Sequence, residues 1–224
     1  MNLSKLVFLC VKNAIYYDDA SFSFDNFKRG LQDGNPDYAT NINNVYLPLN
    51  EAIARLSDLE RIPYKVLEVN NIIDGVINLA NIEEENNLKI KEVINVAILP
   101  RYVKIDHKNL GANKILLNCK ISTPRDLVIE VKEDIPYFDS SYYFYKKNDE
   151  DTLEEHDTDL RNYNINNSMC NYIMEYVMGK LTEQINPEIA TMHITRAEAY
   201  FNNIRPNHSN LTQRVVEKVY GIED

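Results

Sequence analysis

The densest concentration of reactive side chains is acidic: Asp149, Glu150, Asp151, Glu154, Glu155, Asp157 and Asp159 crowd one short stretch. Hard divalent cations take several carboxylate oxygens, so a metal-dependent hydrolase is one chemistry such a stretch offers. The stretch lacks the sharp-turn glycine and the one-three-five ligand spacing of a calcium loop. A solvated connecting loop over 146–159 accounts for it more simply. The histidines, His107, His156, His193 and His208, are isolated, whereas a zinc protease needs two of them one helical turn apart with a glutamate between. His193 falls within a helical pattern and reads as a packing or surface residue.

Other catalytic patterns fare no better. Gly30, Gly34, Gly75, Gly111, Gly179 and Gly221 never form a phosphate-cradling loop, and no GxSxG setting exists. Cys10 and Cys170 lie on apolar helical stripes, where a buried inert thiol is the default. With Cys119 they make an odd, widely spaced set, which suits a reducing cytoplasm better than a disulfide framework or a zinc site. Tyr142 to Tyr145 followed by Lys146 and Lys147 has the makings of a base-stacking platform. The acids that follow repel phosphate, and an aromatic strand face explains the run. No cofactor is implied.

With 24 basic and 34 acidic residues the chain carries a net charge of −10. That excludes a protein whose whole surface grips nucleic acid, because such a surface needs excess lysine and arginine. At 44% hydrophobic and 26% charged, the composition is that of a globular protein with a core. The apolar run Leu6 to Val11 is too short for a membrane span and lacks the flanks of a signal peptide.

The elements that must position these residues are mostly helical at the two ends. Residues 3–16 form a predicted helix with Leu3, Leu6, Val7, Cys10, Ala14 and Ile15 on one side. Residues 17–34 read as irregular, with Phe22, Phe24, Phe27 and Leu31 as anchors. Asn35-Pro36-Asp37 then supplies cap, proline and acid for a helix running to about residue 60. Pro48 removes a backbone donor inside it and predicts a kink or a split. The middle, 63–145, shows β-branched and alternating runs at 64–69, 72–80, 88–98, 102–106, 114–121, 126–132 and 141–145. Breaks between them fit an antiparallel sandwich or small barrel.

The clearest element is Ser168 to Ile204, which reads as a helical hairpin. Met169, Tyr172, Ile173, Tyr176, Val177 and Leu181 line the first arm, capped by Asn167 or Ser168. Gln184 to Pro187 makes the turn, with Asn186 as cap, Pro187 in the first turn and Glu188 against the helix dipole. Ala190, Ile194, Ala197, Phe201 and Ile204 line the second arm. The small residues Gly179, Ala190, Ala197 and Ala199 predict close packing of the arms. The tail from Pro206 carries Leu211, Val215, Val216, Val219 and Tyr220, an apolar set that needs a partner. It either folds back on its own domain or docks on another chain. The fold class is therefore α+β. A helical bundle is built from 1–62 and 160–205, a β-rich insertion spans 63–145, and 206–224 is an extended arm.

Three stretches carry a resemblance. They are the long helix Asp37 to Leu59 (DYATNINNVYLPLNEAIARLSDL), the strand-rich insertion Tyr64 to Tyr145, and the closing helix pair LRNYNINNSMCNYIMEYVMGKL and NPEIATMHITRAEAYFNNI within Leu160 to Ile204. In layout the chain resembles the head–tail adaptor proteins of tailed bacteriophages, also called gatekeeper or tail tubular protein A-type collar proteins. The resemblance implies a structural virion protein rather than an enzyme. It would form a homo-oligomeric ring, most often a dodecamer, made in the host cytoplasm and placed in the neck of the virion. The portal protein would bind one face and the tail nozzle the other, with the tail 206–224 as an arm onto a neighbour or the portal. The acidic balance suits a lumen wall past which the genome slides without sticking. A different neck or tail-completion protein is the alternative within the class, and the metal-dependent hydrolase the alternative outside it.

Overall fold

A computed structural model describes residues 1–16, 19–111, 113–139, 143–147 and 153–207. The chain is α+β and divides into two compact units. The first joins Met1–Ile62 to Pro136–Pro206, and the second is built on Pro63–Ile135.

The first unit is helical. It contains α1 (Leu3–Ala14), α2 (Phe24–Gln32), α3 (Pro36–Asp58), α5 (Asn167–Thr182) and α6 (Pro187–Asn203). α1 buries Leu3, Leu6, Val7 and Cys10 of its expected stripe and adds Val11, whereas Ala14 is only partly buried and Ile15 is exposed. Residues 17–34 are not all irregular: Ser23 accepts a hydrogen bond from the Asn26 N–H and starts α2. Phe22 and Phe27 are buried there, packed with Phe8, Tyr16 and Tyr38. Aromatic packing, rather than a long apolar stripe, secures this short helix.

α3 begins as its sequence predicts, with the Asn35 side chain accepting from the N–H groups of Asp37 and Tyr38. Pro48 does not split it, since the helix is continuous from Pro36 to Asp58. The proline is buried between Val45 and Leu49 on the core side, so packing offsets the lost backbone bond. Two residues on, the Asn50 amide bonds the Tyr46 carbonyl and both the N–H and C=O of Phe138. That clamp fixes the chain where it re-enters the helical unit.

The α5–α6 hairpin has its predicted bounds within a residue or two. The cap of α5 is Asn166, which accepts from the Met169 N–H, rather than Asn167 or Ser168. Asn186 caps α6 on Ile189. Gly179 faces Ile194 so closely that an added Cβ would sit 2.7 Å from Ile194 Cδ1. Ala190 and Ala197 are buried in the seam, whereas Ala199 is exposed.

The β8–β9 hairpin (Tyr143–Lys147 and Leu153–Asp157) also belongs to the first unit's segment. It corrects two expectations. The acidic stretch is not a loop throughout, because its second half is a strand pairing Lys146 opposite Glu154 and Tyr145 opposite Glu155. The inserted unit also ends at Ile135, before the expected 145.

The second unit is a sandwich of antiparallel sheets. One has the order β1-β7-β3-β4 and the other β2-β6-β5. The strands are β1 (Lys65–Ile72), β2 (Val76–Asn78), β3 (Ile90–Ile98), β4 (Val103–Ile105), β5 (His107–Gly111), β6 (Lys114–Leu117) and β7 (Arg125–Glu133). Their inward side chains form one cluster including Ile77, Val96, Ile105, Ile115, Leu117, Leu127, Ile129 and Val131. The run at 72–80 is not one strand. Asn78 accepts from Ala80 and opens a helix, α4 (Leu79–Asn86), whose Leu79 and Ile82 join the same cluster.

Candidate functional site

Where α1 ends beside the α5–α6 turn, the helical unit holds a cavity of about 1040 Å³. Its walls come from Asn13 to Tyr16 and Asp19, from Met174, Glu175, Met178 and Thr182 on α5, and from Ile185 to Arg196 across the turn into α6. Its exposed rim sets four large apolar side chains beside Asn13, Asp19, Asn186 and Arg196. Ile185 is 73% exposed, Ile189 41%, Met192 42% and Ile15 38%. Large aliphatic side chains left this open around one hollow are a contact surface in composition.

The floor holds one polar pair. Nδ1 of His193 lies 2.7 Å from Oε2 of Glu175, and both side chains are about nine-tenths buried. A carboxylate only accepts, so the imidazole Nδ1–H donates to Glu175. The two residues meet on facing sides of α5 and α6, Glu175 nine residues before Gln184 and His193 six after Pro187. From its helical spacing His193 is expected as a packing or surface residue, and no motif singles out Glu175. Counting outward from the Gln184–Pro187 turn is the signal that would have joined them.

A carboxylate-held imidazole is two-thirds of a nucleophilic triad. Among the described residues, the groups around it do not supply the third part. The Thr182 hydroxyl donates to the carbonyls of Met178 and Gly179. Cys10 is buried, and burial first, then the nearby Glu175 charge, push its thiol pKa far above its usual value. Burial likewise raises the Cys170 thiol. Neither cysteine is poised as a thiolate. The pair therefore fixes the two helix faces in register beneath the cavity.

The remaining sequence candidates sit elsewhere. Within the acidic stretch, Asp157 accepts from the Ser4 N–H, the Ser4 hydroxyl and the Asn2 amide. Asp159 accepts from Arg161 and lies 3.7 Å from the Met1 amine. Its Arg161 partner holds this carboxyl well down, at about 2. Both carboxylates thus pin the N-terminus to the segment leading into α5. Asp149, Glu150 and Asp151 lie outside the described residues. Among the described residues no three metal-ligating side chains converge. His107 bonds the Val93 carbonyl within the β unit through Nε2, 3.1 Å away. His208 and the predicted contact residues Leu211, Val215, Val216, Val219 and Tyr220 lie outside the described residues. No helix among the described residues is long and apolar enough to cross a membrane. Set against protein-family models and against curated proteins, the chain matches none.

Proposed function

We propose that this chain is a structural subunit of a protein assembly, a ring-forming head–tail adaptor that joins a portal to a tail. The cavity rim carries the proposal: Ile185, Ile189 and Met192 around the α5–α6 turn, with Ile15 at the end of α1, present exposed apolar side chains. A hairpin tip backed by the buried Glu175–His193 hydrogen bond offers a neighbouring subunit a shaped docking face. The layout supports the same reading. Met1–Ile62 and Pro136–Pro206 build one helical unit and the β sandwich falls between them in sequence, the arrangement that the adaptor resemblance implies. The acidic balance of the chain suits a channel wall that lets nucleic acid pass.

Native mass measurement of the purified protein, alone and mixed with a portal protein, tests this. A ring, formed alone or on the portal, is the expected result, and Ile185→Asp with Met192→Asp abolishes it while the monomer stays folded. A monomer that joins neither itself nor a portal overturns the reading. Closed assemblies of another symmetry, counted by microscopy, would reassign the chain to a different neck or tail-completion part.

A further inference from the structure

Two nitrogen-bearing side chains of the cavity lie on one helix. His193 and Arg196 stand three residues apart on α6, neighbours on one helix face, and both line the hollow. His193 is nine-tenths buried, and its Nδ1 is held by Glu175. Its other ring nitrogen, Nε2, makes no hydrogen bond among the described residues. Arg196 is exposed and likewise has no hydrogen bond or ion pair among the described residues. The same hollow is lined by Met174 and Met178 of α5 and by Ile185, Ile189 and Met192 around the turn. An exposed arginine alone is ordinarily just solvated. Here it shares an apolar cavity wall with a buried imidazole whose second nitrogen is unbonded.

We propose that this cavity is a binding site for a free aliphatic monocarboxylate. Its chain lies against the methionines and isoleucines, and its carboxylate is held by the Arg196 guanidinium and the Nε2–H of His193. The volume of about 1040 Å³ is at the top of the range of small-molecule pockets, about 300–1,000 Å³. Thioether side chains adapt their shape to a flexible aliphatic chain. A guanidinium presents paired donors that match the two oxygens of a carboxylate. Both ring nitrogens donate in the imidazolium form, so one imidazole can hold Glu175 and a second carboxylate at once. Asp19 and Glu175 set the charge that the ligand can carry, because both line the hollow. Asp19 already accepts from the Ser21 N–H and hydroxyl, and Glu175 from His193. The second charge of a phosphate dianion would meet these carboxylates with like charge, and a cationic head would meet Arg196. A single negative charge on an apolar chain avoids both. The site needs only one chain, so it does not rest on the assembly reading.

Isothermal titration of dodecanoate, below its micelle-forming concentration, into the full-length protein tests this. The expected result is saturable binding of one molecule per chain, with dodecanol and dodecyltrimethylammonium weaker by about tenfold or more. Arg196→Glu should weaken dodecanoate by about tenfold or more with far-ultraviolet circular dichroism unchanged. If Arg196→Glu perturbs the fold, Arg196→Met, which keeps an apolar stem without the charge, should show the same loss. Arg205→Glu makes the same charge change at an exposed arginine outside the cavity and should leave the affinity unchanged. Uptake that never saturates, equal affinity for dodecanol, or equal losses in the Arg196→Glu and Arg205→Glu proteins overturns the proposal. Native mass of the same samples separates the two ideas. A ring that binds no dodecanoate overturns this inference alone, and a dodecanoate-binding monomer that joins no portal overturns only the assembly reading.

Discussion

Glu175 and His193, on the two arms of one hairpin, are joined through Oε2 and Nδ1 at 2.7 Å on the wall of the cavity. Removing the carboxylate strands a buried imidazole donor. Glu175→Ala should cost about 2 kcal/mol in urea unfolding, and Glu175→Gln less, because the amide oxygen still accepts. Equal losses for the two substitutions would show that the contact matters for its volume rather than for its hydrogen bond.

The second tie between distant segments is Arg55 on α3 with Glu198 on α6, a two-pronged pair at 2.5 and 2.9 Å. The guanidinium also sits 4.4 Å from the Phe201 ring centre. Both charged groups are partly exposed, so solvent screening keeps the gain small. Arg55→Ala should cost about 1 kcal/mol, shared between ion pair and ring contact. Arg55 lowers the Glu198 pKa. The pair's contribution is therefore full above the ordinary glutamate value and disappears as pH falls through the lower folded value. Glu198→Gln should remove that part of the acid sensitivity, which denaturant midpoints between neutral and acid pH will read.

Gly179 predicts a sign reversal. Alanine is intrinsically better than glycine in a helix by about 1 kcal/mol. Here its Cβ would sit 2.7 and 2.8 Å from Ile194 carbons and 3.3 Å from the Ala190 carbonyl oxygen. Gly179→Ala should therefore destabilise by about 1–2 kcal/mol. In an Ile194→Ala background the same change should become neutral or stabilising. Thermal unfolding of the four proteins in the cycle checks it, and additive effects would contradict the close packing.

Asp159 carries the clearest acid-limb signature. Its folded value is about 2, mainly through Arg161. An unfolded aspartate titrates near 3.9, so the contribution is intact above about pH 4 and lost toward pH 2. Asp159→Asn should flatten stability across that window and leave neutral-pH behaviour nearly unchanged. A stability–pH curve in low salt is the measurement.

These sites differ in how visible they are in the sequence. The hairpin, its Asn186-Pro187 start and the Asn35-Pro36 start of α3 are readable because caps and prolines act locally. α2 and α4 are not: each is short, and each is held by contacts its own periodicity does not record, Phe22 and Phe27 in one case and the sandwich cluster in the other. Pro48 misleads because burial of the surrounding face outweighs one missing backbone bond. The cavity is invisible to motif reading, since Glu175 and His193 acquire meaning only when the turn folds them together. The acidic stretch misleads in the opposite way. Its residue types suggest a ligand set, while Asp157 and Asp159 spend their oxygens on Ser4, Asn2, Arg161 and the N-terminus.

The β sandwich leaves and rejoins the helices through Ile62-Pro63 and Ile135-Pro136. Its first and last strands are hydrogen-bonded neighbours, with Lys65 opposite Val131 and the Lys65 amine 2.8 Å from Glu133. Entrance and exit therefore lie side by side, as the two ends of a plug-in cassette would. A gene encoding the helical scaffold can gain, lose or exchange such a cassette at one seam, closed by a short loop, without rerouting a single helix.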